Sequence, residues 1–400
     1  MDRRNFLSRG AALIGCSAAA HPLMTTVTFA SAPWDTRLVV LILRGAMDGL
    51  GLVQPAGDPD FASLRSGILR QQGDASLPLN GFYEAHPSLA PLMPLWDAGQ
   101  LAFMQAVSTP YRGKRSHFDG QDLLEAGSGM DMAQPRDGWL NRMLQTVPHL
   151  DGRTAYAIGS GEMKLLIGPA RVAEWSPHAE LKLTSQTRRL LDEIYHDDPL
   201  FRDTATEAIA LTELEPPDPG TERGAMLAQR MAVRGGTGTA AMAAFAADRL
   251  YNDARIAAFS IQGWDTHRDQ GRFMKDSVAD LADAILTLRA GLGDVWDKTV
   301  VLAMTEFGRT VRENGSKGTD HGTGGAAVMA GGAIRGGRVY GDWPGLSESA
   351  LYERRDLMPT RDVRAMAAWT MRGLFGLDRS VLEGAVFPGL DMGRDPGLLL

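Results

Sequence analysis

Arg37-Leu38-Val39-Val40-Leu41-Ile42-Leu43, followed by Arg44-Gly45-Ala46-Met47-Asp48-Gly49, is the stretch that decides the fold. Six residues with no break in apolar character after the arginine read as a strand covered on both faces, as in a parallel sheet flanked by helices. The strand runs straight into a glycine-bounded turn carrying one carboxylate, Asp48. Two later apolar runs, Ile256–Ile261 and Thr299–Met304, have the same character, and the helical pattern of 273–292 between them makes a strand–helix–strand unit. Each run is followed at once by metal-ligand residue types. Asp265 and His267 lie in Gly263-Trp264-Asp265-Thr266-His267, and Glu306 lies in Thr305-Glu306-Phe307-Gly308-Arg309. A third set, Asp320 and His321, lies in Gly318-Thr319-Asp320-His321-Gly322. Ligands of open α/β sheets gather at the carboxyl ends of strands. The expectation is therefore an α/β chain with a mostly parallel central sheet and a metal centre at one sheet edge.

Outward from these runs, 87–98 reads as a short helix and 101–107 as a second buried strand. The 116–126 stretch reads as a helix opened by Ser116 and stopped by Gly127. Another amphipathic helix is expected over 138–147, with short strands at 155–158 and 165–167. The 185–215 stretch is charged and helical in pattern, and Pro216, Pro217, Pro219 and Gly220 break it. Residues 221–251 read as one long helix loosened at Gly235-Gly236. The region from about 174 to 252 is expected to be a helical insertion. A buried strand at 326–330 and a closing helix at 360–375 complete the chain.

The chain has 400 residues, 44% of them hydrophobic, which is ample for a core, and 46 glycines. Its net charge of −7 argues against a nucleic-acid partner. A single cysteine, Cys16, excludes an intrachain disulfide and a cysteine-rich metal site. Arg3-Arg4-Asn5-Phe6-Leu7 is a twin-arginine pattern, followed by a weakly apolar stretch and a small-x-small cleavage site, Ala30-Ser31-Ala32. Residues 1–32 are thus expected to be an export signal read by the twin-arginine translocase, and 33–400 a periplasmic or secreted domain. Removing the signal takes away Arg3, Arg4, Arg9 and Asp2 and moves the net charge from −7 to −9. Leu13-Ile14-Gly15-Cys16 also fits a lipoprotein box, the less favoured reading because its apolar stretch is so short. No segment after the signal approaches the roughly 20 apolar residues of a membrane-spanning helix.

Asp48 fits either a ligand position or an ordinary Asp-Gly turn. Ser116, with Asp119 three residues on, fits a helix N-cap, and equally a nucleophile at the anion-binding end of a helix. Arg112, Lys114 and Arg115 add positive charge there for an anionic substrate. His117 fits a ligand, a general acid or a packed residue. Asp265 and His267, two residues apart in an extended segment, share a face and can clamp one ion. Glu306 needs a partner, because a lone buried carboxylate is costly; a metal ion or Arg309 would serve. Arg309 is alternatively a bidentate clamp on an oxyanion. Asp320 and His321 sit in a glycine-rich loop where backbone can approach a ligand. His149, His178 and His196 have no such context.

The order of these parts resembles the alkaline phosphatase superfamily, which includes the sulfatases. More closely, the chain is similar to a bacterial family of exported proteins placed near the sulfatases, domain-of-unknown-function family 1501. The words that carry the match are the 44–49, 116–122, 263–267, 305–310 and 320–322 segments, and the twin-arginine signal is typical of that family. The resemblance implies a three-layer α/β sandwich and two divalent metals flanking a serine or threonine nucleophile. Carried over by position, Asp48, Ser116 and Glu306 would belong to one metal site, and Asp265, His267 and His321 to the other, with Asp320 as an alternative ligand. Glu306-Phe307 stands where the superfamily usually has Asp-His.

Two functions are expected from this. The first is an exported hydrolase of small anionic phosphate or sulfate esters that uses one or two divalent ions. Ser116 would be its nucleophile, with His117 and Arg309 beside it. The second, motivated by the missing Asp-His, is a non-catalytic secreted binding or assembly protein on the same fold. A nucleotide-binding oxidoreductase is disfavoured, since no Gly-x-Gly-x-x-Gly turn joins a strand to a helix.

Overall fold

Arg37–Leu43 forms strand β1, buried along its whole length. Its side chains alternate between two apolar clusters. Leu38, Val40 and Ile42 pack with Leu140, Met143, Met366 and Met371 on one face. Val39, Leu41 and Leu43 pack with Val278, Leu281, Ile285 and Leu288 on the other. A strand with period-two side chains and two apolar faces must be covered by helices on both sides, which is the arrangement found. The protein is described by a computed structural model covering residues 32–130, 137–148, 150–159, 163–177, 217–232 and 238–400. The expected signal up to Ser31, the 185–215 stretch, Gly235-Gly236, His149, His178 and His196 lie outside the described residues.

Among the described residues β1 lies inside a nine-stranded sheet. The other strands are β2 (Leu101–Ser108), β3 (Ala155–Ile158), β4 (Ala173–Trp175), β5 (Ile256–Ile261), β6 (Thr299–Met304), β7 (Gly325–Ala330), β8 (Arg338–Tyr340) and β9 (Arg361–Asp362). Their order is β8-β2-β7-β6-β1-β5-β3-β4, with β9 also on β2. The sheet is mostly parallel; β7 alone runs against its neighbours β2 and β6. The β5 and β6 strands of the expected strand–helix–strand unit are not adjacent: each pairs in parallel with β1, from opposite sides. The carboxyl ends of β1, β2, β5 and β6 therefore share one edge, and antiparallel β7 begins at that same edge.

Among the helices are α1 (His117–Ala126), α2 (Trp139–Gln145), α3 (Glu222–Ala232), α4 (Gly238–Asn252), α5 (Gln270–Leu292) and α6 (Val363–Phe375). In α1 the Ser116 hydroxyl caps the Asp119 N–H at 3.3 Å, and Gly127 ends the helix in the left-handed conformation. The buried positions Met274, Val278, Leu281, Ile285, Leu288 and Leu292 give α5 the three-and-four spacing of one apolar face.

Several expectations change. The 165–167 run is a single 3-10 turn, Lys164–Leu166, and the neighbouring edge strand is instead β4, parallel to β3. Its Leu166 and Ile167 N–H groups bond back to the Met163 and Lys164 carbonyls, which takes them out of any ladder. The long helix expected over 221–251 is described as α3 and α4, on either side of 233–237. Leu227 of α3 and Ala243 to Ala247 of α4 enter the same apolar cluster as α5, so these helices belong to one covering layer of the sheet.

His86 is buried to 2% exposure, with its Nδ1 accepting from the Ser88 N–H. Burial, with Lys275 nearby, lowers its imidazole from 6.5 to about 4. The fold therefore holds His86 neutral, while the unfolded chain protonates it below about 6.5. Stability is lost as pH falls from about 6.5 to about 4, by about 3 kcal/mol at most. Urea midpoints at pH 7 and pH 4.5 should differ less in His86→Gln than in the parent; an identical difference would contradict this.

Candidate metal centre

Four segments deliver side chains to the shared sheet edge. The loop after β2 leads to His117 at the first turn of α1. The loop after β5 carries Asp265 and His267. Glu306 and Arg309 follow β6, and His321 lies on the approach to β7. His117, Asp265 and His321 offer ligand atoms that all lie within 4.8 Å of one another. The Asp265 Oδ1 stands 3.5 Å from His117 Nε2, 3.4 Å from His321 Nε2 and 3.1 Å from His267 Nε2. His267 Nε2 and His321 Nε2 are 3.0 Å apart. Donor atoms of a tetrahedral zinc site stand about 3.3 Å from one another, given metal–ligand distances near 2.0–2.1 Å.

The outer nitrogen of each ring faces an oxygen. His117 Nδ1 meets Glu306 Oε1 at 2.8 Å, His321 Nδ1 meets the Arg115 carbonyl at 2.9 Å, and His267 Nδ1 lies 3.4 Å from Asp320 Oδ1. A carbonyl and an ionised carboxylate only accept, so these partners place the N–H on Nδ1. With the N–H on Nδ1, each ring turns its Nε2 inward, toward the other rings and the Asp265 oxygen. Among the described residues His117 Nε2 is buried and has no hydrogen-bond partner. Lone pairs crowded in this way repel unless a cation stands among them, and a histidine braced at one nitrogen by a carboxylate or carbonyl is the usual form of a metal ligand. The group of two imidazoles and one carboxylate, with His267 Nε2 beside Asp265 and His321, suits a divalent ion.

The supports are buried and fully engaged. Glu306 is 0% exposed. Its Oε1 accepts from His117, from the Gly45 N–H at 2.9 Å and from Gln121 Nε2 at 3.1 Å, while its Oε2 accepts from the Thr305 hydroxyl at 2.8 Å. Burial works to raise this carboxyl, but those hydrogen bonds hold it below its ordinary value. The Glu306 bond raises the His117 imidazole against the opposing effect of burial. Burial lowers His321, helped by Arg309 and outweighing the Arg115 carbonyl. Burial would raise Asp265, but the Arg309 hydrogen bond and charge, with the nearby histidines, keep it lowered. Phe307 stacks on the His117 ring at 5.2 Å, and Tyr111 stacks behind Phe307. Gly45, at φ +117°, lies so close to the Asp265 backbone nitrogen that a Cβ would come within 2.6 Å of it.

Several residues expected at the metal take other places. Asp48 is buried and held by Arg65, at 2.5 and 3.2 Å, and by Gln270 Nε2. Both its oxygens are spent, so it braces the site from behind. Gln270 Oε1 accepts from the Thr266 and Thr319 hydroxyls, tying the Asp265 and His321 loops to that brace. Glu306 is the acceptor that orients His117 and does not face the centre. Arg309, expected to clamp a substrate oxyanion, is fully buried. Its guanidinium donates to the carbonyls of Gly45, Ala46 and Thr319 and, at 2.6 Å, to Asp265 Oδ1. Asp320 faces the outer nitrogen of His267 and accepts from Asn314 at 3.2 Å. The two-metal division implied by the resemblance is not assembled: among the described residues one ligand group forms. Ser116 caps α1 between Arg115 and His117, both of which contact the cluster.

Sequence reasoning gave no role to Gln121, Asn314 or Arg65. Gln121 was within reach, because it lies one helical turn after His117 on the same face of α1. Nothing local marks Arg65 or Asn314.

The family model described as "Protein of unknown function (DUF1501)" matches residues 103–381, most of the chain and all of the ligand cluster. The chain belongs to this family. No curated protein matches it. Among solved structures it is similar to the zinc complex of the C-terminal periplasmic domain of EcEptC from Escherichia coli, at 10% identity and a TM-score of 0.30. That likeness covers 74% of this chain and 73% of the other. Among the described residues no helix is long and apolar enough to cross a membrane.

Two outcomes follow for this centre. Glu306→Gln keeps the volume but weakens the acceptor on His117, and zinc affinity measured by chelator competition should fall about 10- to 100-fold. Asp48→Asn leaves Arg65 buried without its counter-charge. It should cost about 3 kcal/mol in urea unfolding while the metal-to-chain ratio stays unchanged. A lost metal with unchanged stability would instead make Asp48 a ligand.

Proposed function

We propose that the protein is an exported metal-dependent hydrolase of phosphate or sulfate esters. The observation that carries this reading is the convergence of three imidazole Nε2 atoms on one carboxylate oxygen, with each ring braced from outside. His117, His267, His321 and Asp265 would hold a divalent ion. When bound, such an ion supplies a Lewis acid that draws charge from ester oxygens and lowers the pKa of a nearby hydroxyl. The centre is open on one side, since Asp265 is 49% exposed at its side chain and His267 43%.

Ser116 is the candidate nucleophile. Its oxygen lies at the amino end of α1, where backbone N–H groups and the helix dipole favour developing negative charge. Arg115 is exposed next to it and supplies a cation for the ester's anionic group. In this reading Ser116 Oγ attacks the phosphorus or sulfur and gives up its proton to solvent. The bond to the alcohol oxygen breaks, and the leaving alkoxide takes a proton from water. A water molecule then cleaves the serine ester, releasing phosphate or sulfate and restoring the hydroxyl. Arg309 and Glu306 act without touching substrate, by fixing Asp265 and His117. The amino-terminal twin-arginine pattern supports export through that translocase.

Activity on aryl phosphates and aryl sulfates, assayed with Zn²⁺, Mn²⁺, Mg²⁺ and Ca²⁺, tests the reading. The parent should turn over one ester class, His321→Ala should not, and Ser116→Ala should fall by about a thousandfold or more. No turnover of either class with any of the four ions would remove the hydrolase reading and favour a secreted binding protein.

A further inference from the structure

A cavity of about 580 Å³ lies beside the metal centre, between α1 and the ends of β3 and β5. Its size is that of a small-molecule site. Gln121 joins it to the centre, since its amide nitrogen donates to Glu306 and its oxygen accepts from Arg44 Nη1 at 2.7 Å in the cavity wall. Phe118, the residue after the ligand His117, stands on the cavity wall at 85% exposure, an unusual setting for a phenylalanine. Ile167, also on the wall, is a second exposed apolar side chain, and Ile158, Met163 and Met242 add apolar surface.

The charged groups of the wall are already paired. Arg44 Nη2 meets Glu125 Oε1 at 2.6 Å, and Lys164 Nζ meets Asp122 Oδ2 at 3.0 Å. Arg44 Nε donates to the Ser260 hydroxyl, and Glu125 Oε2 accepts from the Leu165 N–H. With those ion pairs engaged, the wall offers a ligand the apolar surface of Phe118, Ile158, Met163, Ile167 and Met242 beside the amide of Gln262. The anionic end of an ester is provided for next door, at the metal centre and Arg115.

We infer that this cavity is the subsite for the alcohol portion of the substrate, and that Phe118 and Ile167 receive an aromatic group of that portion. The inference rests on the ester-hydrolase reading for the role of the group, but not for its binding.

The test uses 2-naphthol as a probe of the cavity alone, followed by fluorescence titration of the full-length protein. It should bind the parent and His321→Ala equally, and bind the double variant Phe118→Ser/Ile167→Ser at least tenfold more weakly. Both substituted side chains are exposed, and circular dichroism checks that the fold is kept. With 2-naphthyl phosphate or sulfate against the methyl ester, the parent's kcat/KM preference for the naphthyl ester should shrink at least tenfold in the double variant. Absent naphthol binding, or binding unchanged in the double variant, overturns the subsite. Naphthol binding of the expected pattern without turnover of any ester supports the subsite and overturns the hydrolase reading.

Discussion

The hydrogen bond between the Glu306 carboxylate and His117 Nδ1 is the constraint on which the centre depends. Glu306 leaves β6 at the sheet edge with no access to solvent, so its charge must be met by fixed donors. It meets them from four directions: His117 on α1, Gln121 one turn later, the backbone of Gly45 after β1, and its neighbour Thr305. That single carboxylate ties three elements distant in sequence. It also fixes which nitrogen of His117 carries the proton and so which one faces the centre. Among the described residues the buried Nε2 that results has no hydrogen-bond partner, and it stands 3.5 Å from the Asp265 oxygen.

Around this bond the buried charges divide into candidate ligands and braces. Arg309 is the plainest brace. With its guanidinium spread over the carbonyls of Gly45, Ala46, Trp264 and Thr319 and over Asp265, it locks the loops after β1, β5 and β6 together. Asp48, Arg65 and Gln270 form a second frame behind the first, in which every charged oxygen has a donor. Networks this fully satisfied rigidify a site, and leaving one member unpaired is costly. The groups left partly exposed, Asp265, His267 and Asp320, lie on the open side where a substrate would enter. A stiff buried side and an accessible polar side are what metal-assisted chemistry requires, since ligand geometry must persist while substrate exchanges.

Much of this was legible in the sequence. The β1, β5 and β6 strands declared themselves as uninterrupted apolar runs, and Ser116 and Gly127 marked both ends of α1. Asp265, His267 and His321 were legible because the loops at the carboxyl edge of such a sheet are where ligands sit. The distinction between a ligand carboxylate and a bracing one was not legible. It turns on partners far away in the chain: Arg65 and Gln270 for Asp48, His117 and Gly45 for Glu306, and the Gly45, Ala46 and Thr319 carbonyls for Arg309. Short elements such as Ala173–Trp175 escaped because three residues carry no periodicity, and the 165–167 run misled for the same reason.

The most direct test of the account is X-ray absorption at the metal edge of the purified full-length protein, read with its metal-to-chain ratio. The account predicts one divalent ion per chain in a shell that contains three imidazole nitrogens and a carboxylate oxygen. A chain that binds no stoichiometric metal, or an ion in a shell of oxygens without imidazole scattering, would contradict it.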